Sequence, residues 1–338
     1  MTGVLLINLG TPDNPSVGAV RRYLREFLND PMVLDISPIG RWMLLNLVIL
    51  PWRPKQSAKA YQQVWRKEGS PLLIYSEALK DSLQNTLGSD YTVELGMRYG
   101  NPSIASALTR LDEACVDRVV VLPLYPQYAM SSTGTALAAL YEDAAARAIV
   151  PPLQVVPDFY EHPGYLDAAA NMIDAERETF KPDHVFFSYH GLPERHVKKA
   201  DRTDSHCLAS AGCCDAIVPA NRSCYRAQCM ATTRGLVSRL HLTEDDYTVG
   251  FQSRLGRTPW IQPYTDELLP ALIEQGKRRI LVSCPSFVSD CLETLEEIGI
   301  RAREDFIEAG GEDLRLVPCL NDDQAWTDTV AQMVKLAT

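Results

Sequence analysis

The feature that most limits what this chain can fold into is an eightfold recurrence of short apolar runs, rich in Val, Ile and Leu, separated by longer segments. The runs cover residues 4–9, 93–97, 119–124, 153–156, 185–189, 249–251, 280–283 and 314–317. Each is strand-length, and the amphipathic stretches between them are long enough to cross back over a sheet, which builds parallel βαβ units. The pattern predicts an α/β protein of two Rossmann-like, doubly wound parallel sheets with four strands each. A chain of 338 residues can fill two such cores. Pro151-Pro152 ends an alanine-rich helical stretch, so residues 1–150 are expected to form the first domain and 151–338 the second. Residues 322–336 have the pattern of a terminal helix, with the first domain as a surface it can pack back on.

Charge narrows the function classes. A formal net charge of −10 with no basic stripe argues against nucleic acid as a partner. The first residues, MTGVLLINLGTPDNP, have no basic region ahead of the apolar run and no small-residue cleavage site; they read as a first strand, and the protein is expected in the cytoplasm. Trp42 to Trp52 is apolar on nearly every side but well short of the ~20 residues that cross a bilayer. Two readings are open: a buried helix, or an exposed apolar lip flanked by Arg41, Arg53 and Lys55 and suited to a greasy ligand or peripheral membrane contact. Five of the nine cysteines fall between Cys207 and Cys229, too uneven for a disulfide framework and suggestive of metal.

Ligands of open parallel sheets gather beyond the carboxyl ends of the strands. That rule selects Gly10-Thr11-Pro12, Arg98-Tyr99, Tyr125 to Tyr128, His190-Gly191-Leu192-Pro193 and the segment after Ser283. His190 ends a strand and precedes a forced turn, which leaves an imidazole at the ligand edge as base or metal ligand; alone, it reads equally well as a hydrogen-bonded loop histidine. Glu293 and Glu297 are four apart and share a helix face, a short ladder of hard oxygen donors for a divalent ion. Asp290-x-x-Glu293 also resembles a capping box, which needs no metal.

Seven ordered segments together resemble the signatures of ferrochelatases, a resemblance that covers the chain from about residue 4 to 320. They are Asn8-Leu9-Gly10-Thr11-Pro12, Gly69-Ser70-Pro71, Met97-Arg98-Tyr99, Tyr125-Pro126-Gln127-Tyr128, Phe187 to Pro193, Phe251 to Trp260, and Ser289 to Leu295. The resemblance implies a chelatase fold with a porphyrin held in the cleft between two domains. The activity it implies is insertion of ferrous iron into protoporphyrin IX to form haem, the terminal step of haem biosynthesis. His190 and Glu293 match the family's pair at the metal and pyrrole nitrogens, Glu297 part of the acidic row beyond, and Arg98, Tyr99, Trp260 and Tyr128 the porphyrin-binding positions. Two positions depart from the pattern: Cys291 stands where several members have a second histidine, and Arg301 replaces an acidic residue of some relatives' metal path.

The cysteine spacing is Cys207-x5-Cys213-Cys214-x9-Cys224-x4-Cys229. Four thiolates in one short segment suit a [2Fe–2S] cluster; a structural zinc and unliganded thiols are the alternatives, and the usual CxxC pair of zinc sites is absent. Some bacterial relatives carry a similar internal cysteine segment, whereas animal-type members use a C-terminal extension and a position occupied here by Met130. Cys229 lies in a stretch that recurs in relatives without clusters, so the resemblance points to Cys207, Cys213, Cys214 and Cys224 as the iron–sulfur ligands.

Overall fold

The computed structural model describes residues 1–256 and 258–338; Arg257, inside one of the signature segments, lies outside the described residues. The chain divides into two compact units. One comprises Met1–Tyr125, Met130–Pro157 and Asn321–Thr338; the other comprises Pro126–Ala129 and Asp158–Leu320.

The first unit is built on strands β1 (Thr2–Thr11), β2 (Tyr91–Gly100), β3 (Arg118–Pro123) and β4 (Leu153–Val155), all parallel, in the order β2-β1-β3-β4. The second repeats that plan with β5 (His184–His190), β6 (Tyr247–Gln252), β7 (Arg279–Ser283) and β8 (Asp313–Leu316), ordered β6-β5-β7-β8. Strands flanked on both faces by helices must be apolar throughout rather than alternating, and Val4 to Ile7 and Val119 to Leu122 are accordingly all buried. Helix Ile104–Glu113 and helix Thr135–Ala145 close over the first sheet through Ile104, Leu108, Leu111, Ala136 and Leu140.

All eight sequence-derived strands are present, in two parallel sheets of four. The boundary expected at 150 differs from the division found. β4 follows Pro151-Pro152 but pairs with β3, through Val119 to Leu153 and Val121 to Val155, so the first unit runs on to Pro157. Helix Gln324–Leu336, counted above with residues 151–338, packs on helix Pro71–Leu87 and belongs to the first unit.

The stretch around Trp42 forms helix Pro38–Met43, a π-helical turn Leu44–Ile49, and helix Leu50–Val64. The buried-helix reading fails here. Leu45 and Leu50 pack on Leu28, but Trp42 is 59% exposed and Trp52 77%, with Leu47 and Val48 exposed beside them. Among the described residues no helix is long and apolar enough to cross a membrane.

Candidate active site and cysteine cluster

In the second unit, β5 and β7 are neighbours whose onward connections leave in opposite directions, so the crevice for a ligand opens beyond His190 and Ser283. Gly191 turns the chain there: a Cβ on it would lie 2.7 Å from the Gln252 carbonyl oxygen and 3.2 Å from the Trp260 ring. Only glycine lets this loop press so closely on both. His190 Nδ1 lies 2.6 Å from the Gly191 carbonyl oxygen. A carbonyl can only accept, so the neutral ring carries its proton on Nδ1 and Nε2 keeps a free lone pair. Phe287 packs edge-on against the same ring, with centroids 6.2 Å apart.

Gln252 joins this histidine to the glutamate. Its backbone oxygen accepts from the Gly191 N–H at 2.8 Å, its side-chain oxygen accepts from the Ser188 hydroxyl at 2.7 Å, and its amide nitrogen donates to the Glu293 carbonyl at 2.8 Å. Glu293 sits in the short helix Leu292–Leu295. Its N-cap is Cys291 rather than the Asp290 of the expected box: the Cys291 sulfur accepts from the Thr294 N–H, and the Thr294 hydroxyl accepts from the Cys291 N–H at 3.0 Å.

Glu297 opens a π-helical turn, Glu297–Ala302, instead of continuing a regular helix, and such turns are enriched at functional sites. Ser253, at a left-handed φ of 65°, grips it with its N–H at 2.9 Å and its hydroxyl at 2.6 Å. Burial raises the Glu297 carboxyl above the usual range, against the Ser253 bond and the nearby His190; the Glu293 charge adds to the rise. His190 and Glu293 both lie within electrostatic reach of Glu297. Arg301 pairs with Glu296. Trp260, half-buried, donates from Nε1 to the Leu255 carbonyl at 2.9 Å and lines a recess of about 480 Å³ with Arg254 and Tyr264. The half-buried Tyr128 is held by its backbone N–H, which donates to the Gln228 side chain at 2.6 Å.

In the first unit, Arg98 is 21% exposed along its side chain and ion-paired to Asp30 at 2.6 Å. Tyr99 lies underneath it. The guanidinium sits 4.4 Å above the Tyr99 ring, and Tyr99 itself is 1% exposed with its hydroxyl donating to Asp30. So enclosed, Tyr99 supports Arg98 from beneath.

The cysteine segment folds on two polar hubs. The Asp201 carboxylate accepts from the N–H groups of Thr203, His206 and Cys207 at 2.9, 2.7 and 2.7 Å. Asn221 donates to the carbonyls of Cys213 and Ala216 at 2.9 and 2.8 Å. Cys207, Cys213, Cys214 and Cys224 are thereby buried together. The Cys213 and Cys214 sulfurs are 3.7 Å apart, and Cys224 lies near enough to Cys207 and Cys214 to influence their thiols. Arg226 donates to the Cys214 sulfur at 3.2 Å. Burial raises the Cys207 and Cys213 thiols; contact with Cys224, then burial, raises Cys214. Cys229 is set apart, fully buried in helix Tyr225–Leu240. Among the described residues no three His, Cys, Asp or Glu side chains are grouped as ligands of a metal ion, yet the four clustered thiols have the donor chemistry an iron–sulfur cluster needs.

Sequence reasoning assigned no role to Gln252, Ser253 or Asp30. The first two lie inside a quoted signature segment, which was the available signal; Asp30 had none.

The family model "Ferrochelatase" matches residues 1–338. The ferrochelatase of Coxiella burnetii (strain Dugway 5J108-111) is 50% identical over 333 residues, covering 98% of this chain and 93% of that protein. The ferrochelatase of Legionella pneumophila (strain Lens) is 47% identical over 333 residues, covering 98% of each. Among solved structures, SirB from Bacillus subtilis with Fe3+ superposes with a TM-score of 0.54 at 10% identity, covering 99% of this chain and 95% of that one. The sirohydrochlorin chelatase SirB from Bacillus subtilis subspecies spizizenii in complex with cobalt gives 0.54 at 8% identity, with 99% and 94% covered. These two likenesses speak to the fold.

Proposed function

The chain belongs to the ferrochelatase family, and from that premise we propose that its metal insertion runs through His190 and Glu293. The reaction is the placing of ferrous iron in protoporphyrin IX to give haem. Two pyrrole protons must leave and the ion must shed water, so a base and an oxygen ligand are needed close together. His190 Nε2, left free by the Gly191 contact, takes the two pyrrole protons one at a time, passing the first to solvent water before the second leaves. Glu293 and Glu297 supply carboxylate oxygens to the incoming ion. Arg98, Trp260 and Tyr128 hold the macrocycle, Arg98 by pairing with a propionate and Trp260 through its ring. The observation that carries this reading is Gln252, whose backbone and side chain tie the His190 turn to Glu293. Purified protein given ferrous iron without oxygen should consume protoporphyrin IX fluorescence; persistent fluorescence removes the reading.

We also propose a [2Fe–2S] cluster on Cys207, Cys213, Cys214 and Cys224, supported by their mutual contacts and by the burial of all four. Such a cluster supplies redox responsiveness and a covalent pin for the loop; the chain's part is to hold four sulfurs away from water and to keep Arg226 near the accumulated negative charge. Freshly isolated protein is expected to absorb in the visible and to contain iron and acid-labile sulfide at about two each per chain. Cys214→Ser should abolish the colour. Colourless protein with stoichiometric zinc overturns the assignment.

The exposed face of Trp42, Leu47, Val48 and Trp52, with Arg53 and Lys55 beside it, we assign to the surface of an anionic bilayer. Vesicles containing phosphatidylserine should sediment the protein. Replacing Trp42 and Trp52 together with Glu should cut that binding by about tenfold or more, and unchanged sedimentation contradicts the assignment.

A further inference from the structure

We infer that Asp30 is a positioning residue for Arg98, and that the same carboxylate fastens the root of the apolar lip to the porphyrin-facing arginine. The inference rests on the reading of Arg98 as a porphyrin contact.

Asp30 is the residue at which helix Val17–Asn29 stops, and it is only 7% exposed. One of its oxygens, Oδ2, accepts from Arg98 Nη2 at 2.6 Å, from the Tyr99 hydroxyl at 2.9 Å and from the Thr135 hydroxyl. The other, Oδ1, accepts from the Met32 N–H at 2.7 Å, and the Asp30 backbone oxygen accepts from Val33 and Leu34 at 3.1 and 2.9 Å. Arg41 then donates to the carbonyls of Leu34 and Ile36, each at 3.3 Å, which carries the same network into the helix bearing Trp42. Asp30 thus joins the end of β2, the start of helix Thr135–Ala145 and the turn at Met32–Leu34 that leads toward the lip.

The bonds leave Arg98 with a defined open edge. Nε is taken by the Thr135 carbonyl and hydroxyl at 3.1 and 2.7 Å, Nη2 by Asp30, and the guanidinium plane by the Tyr99 ring beneath. Among the described residues Nη1 has no partner, so the edge free for an acidic group is fixed rather than rotating. Close by, within electrostatic reach of Arg98 and Tyr99, the Tyr125 hydroxyl is buried with no hydrogen bond to a described residue. A buried ion pair gains little over an apolar replacement in stability, so its use here is orientation: Arg98 can meet a carboxylate without first losing rotamer freedom. Burial disfavours the Asp30 charge, but the bonds from Thr135, Met32 and Tyr99 and the Arg98 charge outweigh it, holding the carboxyl below its usual range and the pair ionised at neutral pH.

The test compares Asp30→Asn, Arg98→Gln and the double variant in steady-state insertion with protoporphyrin IX and ferrous iron, alongside thermal unfolding. Asn keeps the size and the acceptor for Met32 but removes the charge. Asp30→Asn is expected to raise KM for the porphyrin about tenfold, with a smaller change in kcat and none in KM for iron. The double variant should be no worse than Arg98→Gln, because both remove the same oriented edge. A wild-type porphyrin KM in Asp30→Asn while Arg98→Gln is impaired overturns the role of Asp30 and leaves the reading of Arg98 standing. A wild-type KM in Arg98→Gln overturns the reading of Arg98 instead, and this inference with it. Additive effects, or equal rises in KM for both substrates that track a lost melting transition, mark Asp30 as structural only and overturn the proposal. Should Asp30→Asn not fold, Tyr99→Phe, which removes a single donor to the same oxygen and keeps the ring under Arg98, takes its place under the same criteria.

Discussion

Replacing His190 with alanine is expected to lower the rate constant for ferrous iron insertion by about 10²–10⁴-fold while porphyrin binding stays near wild type. The size follows from what the residue does. The Gly191 carbonyl holds the Nδ1 proton, so Nε2 is the ring position left with a lone pair to accept one. Alanine removes that acceptor, and water left in its place is a far weaker base. The backbone should tolerate the change, because β5 is held by pairing with β6 and β7 and by the Gly191 bond to Gln252, none of which uses the imidazole. Glu293→Gln, which keeps the Gln252 bond to the backbone carbonyl, should produce a comparable loss and be far from additive with His190→Ala. A variant that binds porphyrin normally and turns over normally would show that the base lies elsewhere. Porphyrin titrations by fluorescence, run beside single-turnover insertion, separate the two quantities.

The second large effect falls on stability. Gly10→Ala should destabilise the first unit by at least about 3 kcal/mol, seen as a lowered thermal midpoint or loss of folded protein. Gly10 is buried near the end of β1 at φ 110°, and its Cα pairs in register with Tyr99 on β2. A Cβ built there would lie 1.8 Å from the Tyr99 carbonyl oxygen and 2.8 Å from its carbonyl carbon. These are backbone atoms of a neighbouring strand; relief requires the two strands to part. Because Tyr99 lies under Arg98, any surviving protein should also bind porphyrin more weakly. An alanine variant with a wild-type melting curve would contradict this account of the Asn8-Leu9-Gly10-Thr11-Pro12 segment.

What could be read from the chain without coordinates follows from which forces leave a local trace. The eight strands did, because a strand covered on both faces must be apolar along its whole length, and short apolar runs between amphipathic helices are visible one segment at a time. His190 and Glu293 stood out as candidates for a related reason: strand ends in parallel sheets are where ligands meet, and a Gly-Leu-Pro turn advertises such an end. Partners distant in sequence left no trace. Gln252 reaches Glu293 across 41 positions, Ser253 reaches Glu297 across 44, and Thr135 reaches Asp30 across 105, with no periodicity to announce any of them. The Pro151-Pro152 break was real as a break but not as a boundary, since backbone pairing with β3 claims β4 for the first unit. The lip was ambiguous in principle: an all-apolar segment looks the same whether other residues cover it or solvent does. The cap of the Glu293 helix shows a subtler limit, in that Cys291 and Thr294 perform the reciprocal bonding that composition statistics assign to Asp and Glu.

The measurement that bears most directly on the central claim is the anaerobic initial rate of protoporphyrin IX consumption with ferrous iron, taken on wild-type protein, His190→Ala and Glu293→Gln at matched porphyrin saturation. The expected outcome is steady insertion by the wild type and near-baseline rates in both variants. Wild-type-like rates in either variant, at the same saturation, would contradict the assignment of that residue to the insertion step.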